Sequence, residues 1–193
     1  MMRWYKIHFI VILTCFTCSV AFPQSTGSNP LSIDGFAVWI TGRDTGTIQL
    51  IPRTGKNGLM MEGGRTVAHV RFKVNNYGEI STPISSASAP NAEAHPVNLS
   101  GSRFIKIKYK ANQPVLLQLR QTGVHGGIHN HVVLAPSSGF TTTTIQLSSF
   151  KGGLEPLDLK KVSKFNFALV GNNSKDGYAD LVIQSFVIDR YKP

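Results

Sequence analysis

Residues 104–134 read FIKIKYK, ANQP, VLLQLRQ, TGVHGGI and HNHVVL in succession. The first, third and fifth pieces alternate or are rich in β-formers, as half-buried strands do. The second and fourth carry Asn, Pro and Gly, the residues of turns. In Val115–Gln121, Leu117 and Leu119 point one way, and Gln118 and Arg120 point the other. In 129–134, Asn130, Val132 and Leu134 share one face, while His129, His131 and Val133 share the opposite one. If these two strands pair as a hairpin through 122–128, Gln118, Arg120, His129 and His131 gather on one surface, rich in hydrogen-bonding groups.

The same pattern extends outward along the chain. Strands are predicted at 36–40, 47–51, 66–74, 142–147, 165–170 and 181–188, with turn residues between them. In 66–74, Ala68, Val70, Phe72 and Val74 face in, and Val67, His69, Arg71 and Lys73 face out. No segment sustains a helical apolar period, and no internal repeat is present. Many short strands at near-even spacing predict an all-β, antiparallel β-sandwich or barrel. Residues 80–99 are rich in Ser, Ala and Pro and are expected to form a long loop. Tyr77, in Asn-Asn-Tyr-Gly, is expected in a turn, and Tyr178 in a similar one. Trp39 fits either a core position or a stacking platform.

The N-terminus has the three parts of a secretory signal. Arg3 and Lys6 precede the apolar run FIVILTCF (9–16), and Ser19-Val20-Ala21 supplies small residues for cleavage. Cleavage near Ala21 predicts a signal peptide at 1–21, a linker at 22–31 and one domain at 32–193, secreted, periplasmic or held at the cell surface. No transmembrane segment is expected in the mature chain. Both cysteines, Cys15 and Cys18, fall in the signal, so thiol and disulfide chemistry are absent from the mature protein. Lipidation at Cys18 is the alternative fate of this segment.

The 193 residues carry a formal charge of +10, which becomes +8 without Arg3 and Lys6. A basic exported protein is drawn to anionic polysaccharide, lipopolysaccharide or lipid headgroups. Export and the lack of any nucleic-acid motif argue against a nucleic acid partner. Enzymatic signatures are missing as well. The acids lie mostly in predicted turns and none stands on the three strands with outward His, Arg or Gln, so a two-carboxylate glycosidase has no seat. Neither a G-x-S-x-G elbow nor a phosphate-binding loop occurs. His125, His129 and His131 fit zinc or copper ligation, glycan hydrogen bonding or a solvated surface. Lys106, Lys108 and Lys110 alternate along one strand, either as an anionic-ligand patch or as protection against edge pairing.

The ordered set Ser32-Ile33-Asp34-Gly35-Phe36, FIKIKYK (104–110), LLQLRQ (116–121), GFTTT (139–143), IQLSSF (145–150), LDLKKVSK (157–164) and FVID (186–189) resembles a known family. It is similar to the galactose-binding-like jelly rolls of carbohydrate-binding modules, in particular the family-eleven modules of secreted bacterial proteins. The resemblance implies a non-catalytic jelly roll that binds polysaccharide or oligosaccharide in a groove on its concave sheet. It implies ligand contacts from Gln118, Arg120, His129 and His131, with His69 and Arg71 beside them; Tyr77, an aromatic in its Asn-Asn-Tyr-Gly turn, is a separate candidate for an exposed stacking platform. It also implies a structural calcium between the first and last strands, for which Asp34 and Asp189 are the remaining acids. Glycan-degrading enzymes are the partners that such modules imply. Gly35 and Ala37 stand where the family carries acids, and outward aromatics are scarce on the groove strands. A basic, histidine-rich groove favours a soluble or acidic glycan over crystalline cellulose. The alternative is an envelope or assembly protein that uses the sandwich to hold protein or lipopolysaccharide.

Overall fold

A computed structural model describes residues 38–53, 55, 57–85, 93–174 and 176–191. The expected signal peptide, the linker and Asp34 lie outside the described residues. Eleven strands occur in them: β1 (Ile40–Arg43), β2 (Ile48–Ile51), β3 (Leu59–Glu62), β4 (Arg65–Lys73), β5 (Tyr77–Pro83), β6 (Phe104–Ala111), β7 (Val115–Gln121), β8 (Asn130–Leu134), β9 (Ser137–Gln146), β10 (Val162–Val170) and β11 (Tyr178–Ile188). A five-stranded sheet runs β1-β5-β10-β7-β8, and the second runs β2-β4-β11-β6-β9 with β3 added on β4. Every pairing is antiparallel. The result is an antiparallel β-sandwich of the jelly-roll type. No helix among the described residues is long and apolar enough to cross a membrane.

The core fills the space between the sheets with one side of each strand. Phe165 and Phe167 enter it from β10, and Phe186 enters from β11. Their rings meet edge-on, at 4.8 Å for Phe165–Phe186 and 5.9 Å for Phe167–Phe186. Trp39 completes the cluster 5.8 Å from Phe167, fully buried, so it is a core residue. Aromatic pairs of this kind add about 0.5–1.5 kcal/mol beyond the apolar area they bury. The residues between these anchors point away from the core. On β10 they are Lys164, Asn166 and Ala168, which fixes where a polar surface can form.

The structure adds β3 and β5 to the expected strands. Tyr77 opens β5 and does not lie in a turn; β5 also takes the first residues of the expected 80–99 loop. Its sequence, YGEISTP, is weakly β-forming. It is a strand because β1 and β10 pair with it on both sides and satisfy its backbone. The lysine-bearing strand β6 lies inside its sheet, between β11 and β9. Its lysines therefore do not guard an edge. Lys108 and Lys110 instead hold their ammonium groups 5.9 and 5.2 Å from the Phe140 ring centre.

Candidate functional site

The hairpin of β7 and β8 forms as expected, with Gln118 directly opposite His131. Leu117 and Leu119 are buried in the core, so Gln118 and Arg120 face outward. On the other side of β7, β10 places Asn166 opposite Gln118 and Lys164 opposite Arg120. Next in the sheet, β5 contributes Glu79. Ser81 stands opposite Asn166 and Glu79 opposite Ala168, so Glu79 meets Asn166 diagonally. Four neighbouring strands thus supply Glu79, Asn166, Gln118 and His131 in a staggered row across the outer face.

Asn166 organises this row. It is outward-pointing yet buried by its neighbours, at 2% exposure. Its Nδ2 donates to Glu79 Oε2 and to Gln118 Oε1, both at 2.9 Å. With its oxygen engaged, Gln118 presents its NH₂ group as the free donor. His131 is oriented from its own strand: Nδ1 donates to the His129 carbonyl at 3.0 Å, because a carbonyl can only accept. That tautomer leaves Nε2 for a ligand. The row ends in a strip of chain at 151–155 that lies along β8. His131 and Lys151 exchange backbone hydrogen bonds there, and Asn130 bonds the Glu155 carbonyl and the Gly153 amide. Gly152 sits against the His131 ring; a Cβ there would lie 3.3 Å from its Cε1, and the backbone has φ +80°.

His129 departs from the expected picture. It precedes β8, and only 6% of it is exposed. Burial pushes its pKa down, and the positive charges of Arg120 and Lys164 push it further. His129 is therefore a neutral imidazole next to two cations. Burial first, and then Arg120, also lowers the pKa of Lys164.

His69 and Arg71 do not join this face. They stand on β4, in the other sheet, and so look out from the opposite side of the sandwich. Period two tells which residues leave the core but not which sheet a strand enters. On that side His69 lies between two carboxylates, with Nδ1 on Glu62 Oε1 and Nε2 3.0 Å from Asp180 Oδ1. Both ring nitrogens face acceptors, so the imidazolium suits the site. Burial lowers the His69 pKa, but Asp180 and Glu62 outweigh it and hold it above the ordinary value. Arg71 lies 5.5 Å from the Tyr178 ring centre and 3.8 Å from Asp180. His69, Arg71 and Asp180 border a cleft of about 560 Å³, shared with Lys110, Asn112 and Ser137. Tyr77 belongs to the five-stranded sheet, half-exposed at the end of β5 and opposite Val170.

The metal expectations find little support in the donor chemistry. Asp189 Oδ2 accepts from the Arg103 backbone N–H at 3.2 Å, from Arg103 Nε at 3.1 Å and from Arg190 Nε at 3.3 Å. Two guanidiniums at one carboxylate oxygen oppose a calcium ion, which needs six to eight oxygen ligands. Asp189, engaged in this way, does not fit that ion, and Asp34 is outside the described residues. His125 lines a different cleft, of about 620 Å³, with Gln121, Thr122, Asp158 and Lys161. Among the described residues, no group of three or more His, Cys, Asp or Glu is placed to hold a metal.

Sequence reasoning missed Glu79, Asn166 and Lys164. Asn166 had a usable signal, a lone amide alternating with Phe165 and Phe167. Glu79 had none, because its strand was not expected.

No family model matches the sequence, and no curated protein matches it either. Solved structures do match the fold. A family 11 carbohydrate-binding module from Clostridium thermocellum, solved in complex with a β-1,3-1,4-mixed-linked tetrasaccharide, superimposes with a TM-score of 0.54 at 16% identity. The match covers 81% of this chain and 91% of that one. The family 11 module of a cellulosomal cellulase from the same organism gives 0.54 and 16%, over 83% of this chain and 92% of its own. The architecture is a jelly roll similar to that of these modules.

Proposed function

We propose that this chain is an exported, non-catalytic carbohydrate-binding protein whose ligand lies across the outer face of the five-stranded sheet. The observation that carries this reading is the hydrogen-bonded row Glu79–Asn166–Gln118, with His131 opposite Gln118. Such a row offers oriented donors and acceptors on a rigid sheet, which suits the many hydroxyls of a saccharide. Gln118 donates to a ring hydroxyl, His131 Nε2 accepts from one, and Glu79 accepts through its other oxygen. Tyr77 supplies an apolar surface at one end of the face. The fold shared with carbohydrate-binding modules supports the same reading. The protein would hold polysaccharide near the cell or near secreted glycan-degrading enzymes, with no bond made or broken.

The test is binding to a panel of β-glucans, xylans, pectins, alginate and chitin, repeated with Gln118→Ala and His131→Ala. Each substitution is expected to weaken binding of the selected glycan about tenfold, the scale of one or two lost hydrogen bonds. A folded protein that binds nothing in the panel would overturn the reading and favour an envelope-assembly role.

A further inference from the structure

Lys164 and Arg120 are direct cross-strand partners on the outer face of β10 and β7. Like charges placed opposite each other in an antiparallel pair repel and destabilise it. Here both are half-buried, which sharpens the repulsion. Among the described residues, neither has a carboxylate within salt-bridge reach; the ion pairs found there belong to His69, Arg71, Arg103, Lys161 and Arg190. The acids whose fields reach Lys164 are Glu79 and Glu93. Glu79 accepts from Asn166, and Glu93 accepts from the Gly123 backbone N–H at 3.1 Å. Residues 86–92, which precede Glu93, contain no acidic side chain. The neutral His129 imidazole lies within the field of both cations.

We infer that Arg120 and Lys164 form an anion subsite, and that its occupant is the carboxylate of a uronic-acid saccharide. This rests on the glycan-binding reading above and names its substrate class. The arginine fork matches both oxygens of a planar carboxylate, and the lysine adds a point charge at the same place. Gln118 lies two residues from Arg120 on the same face, about 6.6 Å along the strand. One acidic sugar can therefore meet both, its carboxylate on the cations and its hydroxyls on Gln118 and His131. The ligand also supplies the counter-charge that the described residues do not place between the two strands.

The experiment compares oligogalacturonide with its fully methyl-esterified form by calorimetry on the full chain, so that the carboxylates are neutralised on the same saccharide backbone. The acid is expected to bind about tenfold tighter or more, and less so as salt screens the pair. Arg120→Gln and Lys164→Gln should each lower the affinity for the acid more than that for the ester, and so shrink that preference toward unity. Lys164→Gln should also raise the melting temperature of the free protein, because the like-charge pair is relieved. Equal affinity for acid and ester, or a preference that survives both substitutions, would overturn the subsite. Tight binding of a neutral β-glucan, sensitive to Gln118→Ala but indifferent to charge, overturns the subsite and leaves the glycan reading standing. Galacturonate monomer bound through Arg120 and Lys164, with no oligosaccharide bound, supports the subsite and removes the polysaccharide reading. Stronger binding of a sulfated galactan than of the uronide overturns the carboxylate assignment.

Discussion

Asn166 reaches across from β10 to Gln118 on β7 and donates to its side-chain oxygen at 2.9 Å, while its own Oδ1 is buried with no partner among the described residues. A stranded acceptor of this kind costs about 1–3 kcal/mol, and the two bonds that Asn166 donates return about 0.5–1.5 kcal/mol each. The residue is thus close to neutral for stability. Asn166→Ala is expected to change unfolding free energy by no more than about 1 kcal/mol in urea. Glycan affinity should still fall by about tenfold, because Gln118 loses the contact that aims it. A stability loss with intact binding would sink this account.

The two buried histidines pull stability in opposite directions with pH. His69 has a folded pKa above 6.5, its ordinary value, so the stability it contributes is full below 6.5 and is lost as pH rises through the raised value. His129 has a folded pKa below 6.5, so its contribution is present above 6.5 and is lost as pH falls toward the depressed value. His69→Gln should show its largest deficit at about pH 6 and below, and approach the parent in mild alkali. His129→Gln should gain on the parent as the medium turns acid. Denaturant titrations at stepped pH check both limbs; parallel curves would refute them.

Phe167 joins the two sheets through Trp39 and Phe186. Truncation to Ala removes a fully buried ring and is expected to cost about 3–5 kcal/mol. The loss should appear as a lower denaturant midpoint with an unchanged slope. An effect below about 1 kcal/mol would mean that the cluster is not packed as described.

Gly171 lies where β10 passes the Asn75–Asn76 turn. Its N–H donates to the Asn76 carbonyl at 2.7 Å, and a Cβ would fall 2.1 Å from the Asn75 carbonyl oxygen. Backbone cannot swing aside as a side chain can. Gly171→Ala is expected to destabilise by about 1–3 kcal/mol, the cost of forcing a tight contact apart. Thermal melts of the pair test it; an unchanged melting temperature would be the contrary result.

The strands around residues 104–134 were legible because LLQLRQ places apolar and polar side chains in strict alternation. The tertiary environment turned the same alternation into buried Leu117 and Leu119 and outward Gln118 and Arg120. LMME and YGEISTP, which became β3 and β5, show no comparable pattern, and long-range pairing decides them. The Gln118–His131 juxtaposition followed from one short hairpin. The separation of His69 and Arg71 from it did not, because sheet membership is set by neighbours distant in sequence. Asn166 and Lys164 needed the β7–β10 register, which residues 115–121 and 162–170 do not state on their own.

The Glu79–Asn166–Gln118 chain has a further consequence for how a ligand would be met. A free glutamine side chain on a sheet face samples several rotamers and loses that freedom on association, at about 0.5–1.5 kcal/mol. Gln118 is already held when the chain folds, so little rotational disorder remains for a ligand to remove. Cutting the chain at Asn166 should therefore register in calorimetry chiefly as a less favourable entropy of association, with the enthalpy of the Gln118 contact largely kept.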